Sequence, residues 1–219
     1  MAKMMVYMLA VFCGLLHSAA AVPVPTVAPG ASSQQTVPEA LQASLQKTEH
    51  VLARTTEALG TINTVHFSGT ASYPDYSLDT LPSSADIITA EDIETSTLED
   101  SVVLQTLKAH LHIFERHLHA VKLDQLALVA DDTTGQVQAV HDQVARVQTI
   151  TTELQTSLAV TANVMGHPFD NTSEDVETGT ADSQFKMTLR AYFTFRDYEA
   201  FLVHLAEVFA ELEERESTP

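Results

Sequence analysis

The 219-residue chain has one cysteine, Cys13, and no tryptophan. A lone cysteine cannot close an internal disulfide, so packing alone has to hold the fold. Basic residues are scarce: 11 Lys and Arg stand against 29 Asp and Glu, a formal charge of −18. Such a surplus repels nucleic acid and anionic membrane surfaces and favours basic partner surfaces. No phosphate-binding loop, nucleophile elbow or metalloprotease pattern occurs. No catalytic residue, metal or cofactor is therefore expected. No segment sustains the apolar/polar alternation of a strand, so no sheet of any size is expected, and no internal repeat of fixed period is found.

One apolar run stands out, Met4 to Leu16, preceded by Lys3 and followed by Ala19-Ala20-Ala21. This is the layout of a secretory signal peptide over residues 1–21, and the run is too short to anchor in a bilayer. Residues 22–35 carry Pro23, Pro25, Pro29 and Gly30 and read as a flexible leader. Residues 36–219 then form one domain of ordinary size. The expected product is secreted and extracellular. Asn171-Thr172-Ser173 is a glycosylation sequon, expected on an exposed loop.

Four helices are legible within that domain. The first opens at Thr36 and Glu39, which have capping-box spacing, and carries Leu41, Leu45, Leu52, Leu59 and Ile62 on one face. Thr48 and Thr55 fill the same stripe. The second opens at Ser96 and Glu99 and repeats Leu104, Leu107, Leu111, Phe114, Leu118 and Val121 in steps of three and four. The third follows the break at Asp131 to Gly135, runs through Val137, Val144, Leu154 and Met165, and closes at Gly166 and Pro168. The fourth starts after Asp182 or Ser183. Its Phe185, Tyr192, Phe195, Tyr198 and Phe209 predict a central place in the core.

The connections discriminate between bundles. A short link over 124–134 makes the second and third helices antiparallel neighbours. The other two links, 66–97 and 167–182, are long for a compact domain. Sixteen extended residues reach roughly 50 Å, enough to travel the length of a 25-residue helix. Links that return the chain to its starting end predict an up-up-down-down long-chain four-helix bundle with two crossover loops.

Residue detail points the same way. Tyr76 precedes Leu78-Asp79-Thr80-Leu81-Pro82 in the first crossover. This resembles the Leu-Asp-Ser-Leu-Pro of the interleukin-11 family, within the interleukin-6-type cytokines. Leu107-Lys108-Ala109-His110-Leu111 resembles the Leu-Arg-Ala-Asp-Leu of that family's second helix, and Arg116-His117 has a counterpart there. The proline-rich leader and the lack of disulfides are shared features. The resemblance implies a cytokine, monomeric when free, that binds an α-receptor and a shared signal-transducing receptor to trigger JAK-STAT signalling. It implies three patches. Leu78, Leu81 and Arg215 would meet the α-receptor. Exposed faces of the first and third helices would meet the shared receptor, and Phe185 would meet a second copy of it. The family's fourth helix ends in several basic residues, whereas this one has Arg215 among Glu211, Glu213, Glu214 and Glu216.

Each of these residues has a plainer reading. Phe185 could be core, and Leu78 and Leu81 could simply pin the crossover. A neighbouring group, the ciliary neurotrophic factor and cardiotrophin cytokines, opens its fourth helix with Phe-x-x-Lys. Here Phe185 is followed by Thr188, with Lys186 and Arg190 as candidate substitutes. A lipid-binding amphipathic-helix protein is a further alternative, disfavoured because such helices carry Lys and Arg beside the apolar face. His112, Glu115 and His119 share a helical face, but one straight helix rarely closes a zinc site, so a solvated polar face is expected. His110 and His117 flank the core seam.

Overall fold

The computed structural model describes residues 35–73, 76–95, 98–170 and 175–217. The expected signal peptide with Cys13, residues 22–34 of the leader, Ser96 and the Asn171 sequon lie outside the described residues. Five helices follow one another: α1 (Val37–Phe67), α2 (Ala90–Thr95), α3 (Asp100–Val129), α4 (Gln136–Val164) and α5 (Gln184–Ser217). Among the described residues no strand occurs, so the architecture is all-α. No described helix is long and apolar enough to cross a membrane.

The first helix starts where its capping pair predicts. The Thr36 amide donates to Glu39 Oε2 at 2.8 Å, and the Glu39 amide donates to Thr36 Oγ1 at 3.5 Å. Pro38 has no N–H, so this pair satisfies two of the three orphan amides of the first turn. The buried stripe of α1 differs from the leucine ladder read in the sequence. Ala40, Leu41, Ser44, Thr48, Val51, Thr55, Ala58 and Ile62 are buried, while Leu45, Leu52 and Leu59 flank them half-exposed. Small residues hold the centre because α1 lies against both α4 and α5.

Two boundaries in the middle of the chain depart from expectation. The first crossover contains α2, a six-residue helix opened by reciprocal bonds between Thr89 and Asp92 and pinned by buried Ile93. The second long helix, α3, begins at Asp100 with Glu99 as N-cap, and Glu99 makes no side-chain capping bond. That helix also continues to Val129, through the segment read as the start of a link. Residues 130–135 alone join it to α4. Asp132 builds the turn, accepting from the Thr134 amide at 2.8 Å and the Val137 amide at 2.7 Å. These bonds, those of Thr134 foremost, hold the Asp132 carboxyl down at about 2. The far end of α4 is a Schellman cap: His167 N–H bonds Ala162 C=O at 2.8 Å and Gly166 N–H bonds Asn163 C=O at 3.1 Å. Gly166 takes φ +82°, which only glycine adopts without strain.

Within the bundle α1 packs on α4 and α5, and α3 packs on the same two helices; α2 leans on α5. Numbering falls along one helix as it rises along its neighbour. Ala40 meets Thr161, Ser44 meets Ser157, and Lys47 meets Glu153. Thr56 meets Glu199, and Phe67 meets Tyr192. Asp100 meets Arg215, Phe114 meets Tyr198, and Asp124 meets Arg190. The core is centred on α5, as its aromatic content predicts: Phe195, Tyr198, Phe201 and Phe209 are fully buried, with Phe114 of α3 stacked against Phe201 at 5.1 Å. The Tyr198 hydroxyl, fully buried, is paired with Thr151 Oγ1 at 2.9 Å, and burial drives its pKa upward.

Candidate interaction surfaces

The three patches implied by the resemblance can be located residue by residue. Phe185 sits in the first turn of α5 and is 62% exposed. An aromatic so exposed on a rigid helix costs apolar surface in water and suits an interface anchor. Its frame is well tied. The Thr188 hydroxyl donates to the Phe185 carbonyl at 2.8 Å, Lys186 pairs with Asp182 at 2.9 Å, and Gln184 reaches Asp131 at 3.3 Å.

Arg190 cannot stand in for the lysine of the Phe-x-x-Lys motif, because it is buried and engaged. It grips Asp124 of α3 in a two-pronged pair, Nε to Oδ2 at 2.8 Å and Nη2 to Oδ1 at 3.1 Å. Nη1 donates to the carbonyls of Thr178 and Gly179, closing the second crossover onto the bundle. Burial raises the Asp124 carboxyl above its ordinary range, and the Arg190 charge pulls it partly back. Lys186 is exposed beside Phe185 and remains available to a partner.

Leu78, Leu81 and Arg215 are not brought together. Leu81 is 7% exposed and belongs to the core, and Leu78 is half-buried against it. Leu81 therefore pins the crossover and presents almost no surface. Its neighbour Thr80 interacts through its backbone with His117, whereas Arg215 forms an ion pair with Asp100 at 3.5 Å. His117 and Asp100 are separated by roughly 25 Å of helix rise. The reason is the length of the crossover: after Leu81 the chain still has α2 and Leu98 to place before α3 begins. Arg215 thus sits by the end of the crossover, apart from its leucine motif.

The faces of α1 and α4 meet over a shallow groove of about 380 Å³ lined by Ala40, Ala43, Ser157 and Val160, the last 42% exposed. A hydrogen-bonded set ties the two helices here: Ser44 Oγ lies 2.9 Å from both Ser157 Oγ and Thr161 Oγ1, and Thr161 donates to the Ala40 carbonyl at 3.0 Å. The Lys47–Glu153 pair spans the groove at 3.3 Å.

Sequence reasoning passed over Arg196. It holds the start of the first crossover, donating to the carbonyls of Tyr73, at 2.6 Å, and of Tyr76. Its guanidinium also lies 5.1 Å from the Phe193 ring centre. Tyr76, 69% exposed, stacks on Phe193, so a second aromatic is displayed on α5. A lone arginine in an aromatic run was the available signal. The histidines also resolve. His110 and His117 are buried, while Gln148 of α4 lies within 3.4 Å of both Glu115 and His119. Among the described residues no group of three or more His, Cys, Asp or Glu is placed to hold a metal ion.

No known family model matches the chain, and no curated protein matches it at a significant level.

Proposed function

We propose that the chain is a secreted long-chain helical cytokine of the interleukin-11 kind, which acts by engaging receptors and not by catalysis. One observation carries this reading, the sense of the helix pairs. Contacts between α1 and α4, between α1 and α5, and between α3 and α5 all run in opposite directions. If α5 opposes both α1 and α3, those two share a direction, and α4 shares that of α5. This supports an up-up-down-down bundle, in which α1 and α3 each pack on α4 and α5, meet each other through the His66–Gln125 bond at 2.9 Å, and are joined by a crossover, as are α4 and α5.

The proposed surfaces follow. Phe185, with Lys186 beside it, would anchor one copy of a shared signalling receptor. The shallow groove between α1 and α4 would meet another copy. Arg215, at the acidic end of α5, would contribute to an α-receptor site together with the residues that end the first crossover. The acidic surplus, −18 over the full sequence, would favour a basic receptor face.

Immobilised ectodomains of an interleukin-11-type α-receptor and of the shared signalling receptor test the proposal, with ciliary neurotrophic factor-type receptors alongside. Saturable binding to the first set, followed by JAK-STAT activation in responsive cells, is expected. A cooperatively folded protein that binds neither set would overturn the reading. Binding to the second set alone would move it to the neighbouring group.

A further inference from the structure

We infer that the first crossover is a pH-released latch: the segment from Leu78 to Asp86 seals His110 and His117 against α3, and protonation of His117 drives that segment off the bundle. The inference concerns the free protein and stands whether or not the receptor reading holds.

The two histidines are seven residues apart on α3, so they lie on one face two turns apart. His117 has no exposed surface, and neither ring nitrogen has a hydrogen-bond partner of good geometry. His110 is 8% exposed, and its Nδ1 is likewise buried without a partner. The cover is the crossover. Leu81 is inserted in the core, the Thr80 backbone interacts with His117, and the Asp86 carboxylate faces His110. From α5, Arg190 faces His117, and the Phe201 ring meets His110 edge-on at 6.0 Å. Arg190 is itself committed to Asp124.

These surroundings divide the labour between the rings. A proton on His110 gains the attraction of Asp86. A proton on His117 is buried and faces a cation. Burial lowers both histidines, and His117 falls to about 4 from its ordinary 6.5. With the crossover released, His117 returns to its ordinary value. The neutral ring therefore favours the closed form. The latch holds fully above about pH 6.5 and weakens as pH falls toward 4. Linkage makes the open population rise roughly 25-fold between pH 7.5 and 5.0.

The crossover is well suited to open locally. Residues 83–86 are exposed and organised by Ser83 and Asp86 alone, while Leu81 and Ile93 provide its deeply buried anchors. Segments with few buried anchors open at lower cost than the whole fold.

Native-state hydrogen exchange on the full chain at pH 7.5 and 5.0, expressed as protection factors, tests this. The amide of Leu81, bonded to the Leu78 carbonyl at 2.9 Å, is expected to lose roughly 25-fold in protection. The amides of α4 around Val147 to Leu154 should keep theirs. In His117→Leu the pH dependence of the crossover should shrink to the smaller part that His110 supplies, whereas His110→Leu should retain most of it. Should His117→Leu fail to fold, NMR titration of the His117 ring in the unmodified protein decides: a value well below 6.5 supports the latch. Crossover protection that is unchanged, or that falls in step with α4, overturns it, as does a His117 ring titrating near 6.5.

Discussion

The two sides of the bundle are built from opposite materials. Where α3 meets α5, Phe114, Tyr198 and Phe201 stack with ring centres 4.9–6.3 Å apart, and the interface is bulky and apolar. Where α1 meets α4, Ala40, Ser44, Ser157 and Thr161 meet through hydroxyls, and one side chain reaches the neighbouring main chain. Aromatic rings contribute buried area but tolerate small shifts in register. Hydroxyl-to-carbonyl bonds contribute little area but hold only at one alignment. In a core without disulfides, the first interface supplies bulky apolar burial and the second fixes how α1 and α4 are seated.

Substitutions on each side should separate these roles. Phe114→Ala removes a ring that touches two others and should cost about 3–5 kcal/mol, read as a lower urea midpoint. Arg190→Met comes next. It strands the buried Asp124 carboxylate and unties Thr178 and Gly179, at about 3 kcal/mol. That loss should shrink at acid pH, where Asp124, already raised by burial, takes a proton; an undiminished loss would point to packing instead. Thr161→Val keeps the shape of the polar interface but leaves the Ala40 carbonyl and Ser44 short of a partner. It should cost about 1–2 kcal/mol and raise hydrogen exchange along the α1–α4 seam more than along α3. An equal rise in both would show that the hydroxyls do not fix the seam. Phe185→Ala touches neither interface and should shift stability by less than about 0.5 kcal/mol. Receptor binding and signalling should nevertheless fall at least about tenfold, as expected of an anchor. If that variant unfolds instead, Phe185 is structural.

Much of this architecture was legible in the residues. Thr36 with Glu39 marked one helix start, Gly166 with Pro168 marked a helix end, and the aromatic run from Tyr192 to Phe209 marked the helix that occupies the centre. The failures have physical causes. The second helix seemed to end near Asp124 because polar residues follow. Asp124 and Gln125 in fact continue the buried seam, carried by Arg190 and His66 from other helices. Polarity reads as solvent exposure until its partner is known. The six residues of α2 are too few for periodicity to show. His110 and His117 looked like the edge of a polar face, and only the crossover laid over them makes them interior.

The candidate surfaces divide in the same way. Phe185 is exposed, unlike the other aromatics of its helix, because it sits in the first turn, where few neighbours can cover it. The separation of Leu81 from Arg215 was not foreseeable, since it depends on where along α3 a thirty-residue loop comes down.

Periodicity and capping chemistry are local, so the order of the long helices, the start of α1 and the end of α4 were set by the sequence alone. The seating of the crossovers, the partners of Asp124, Arg190 and His117, and the hydroxyl seam between α1 and α4 were decided only by tertiary structure. Each joins residues tens of positions apart, and burial changes what a polar side chain costs once a distant partner meets it.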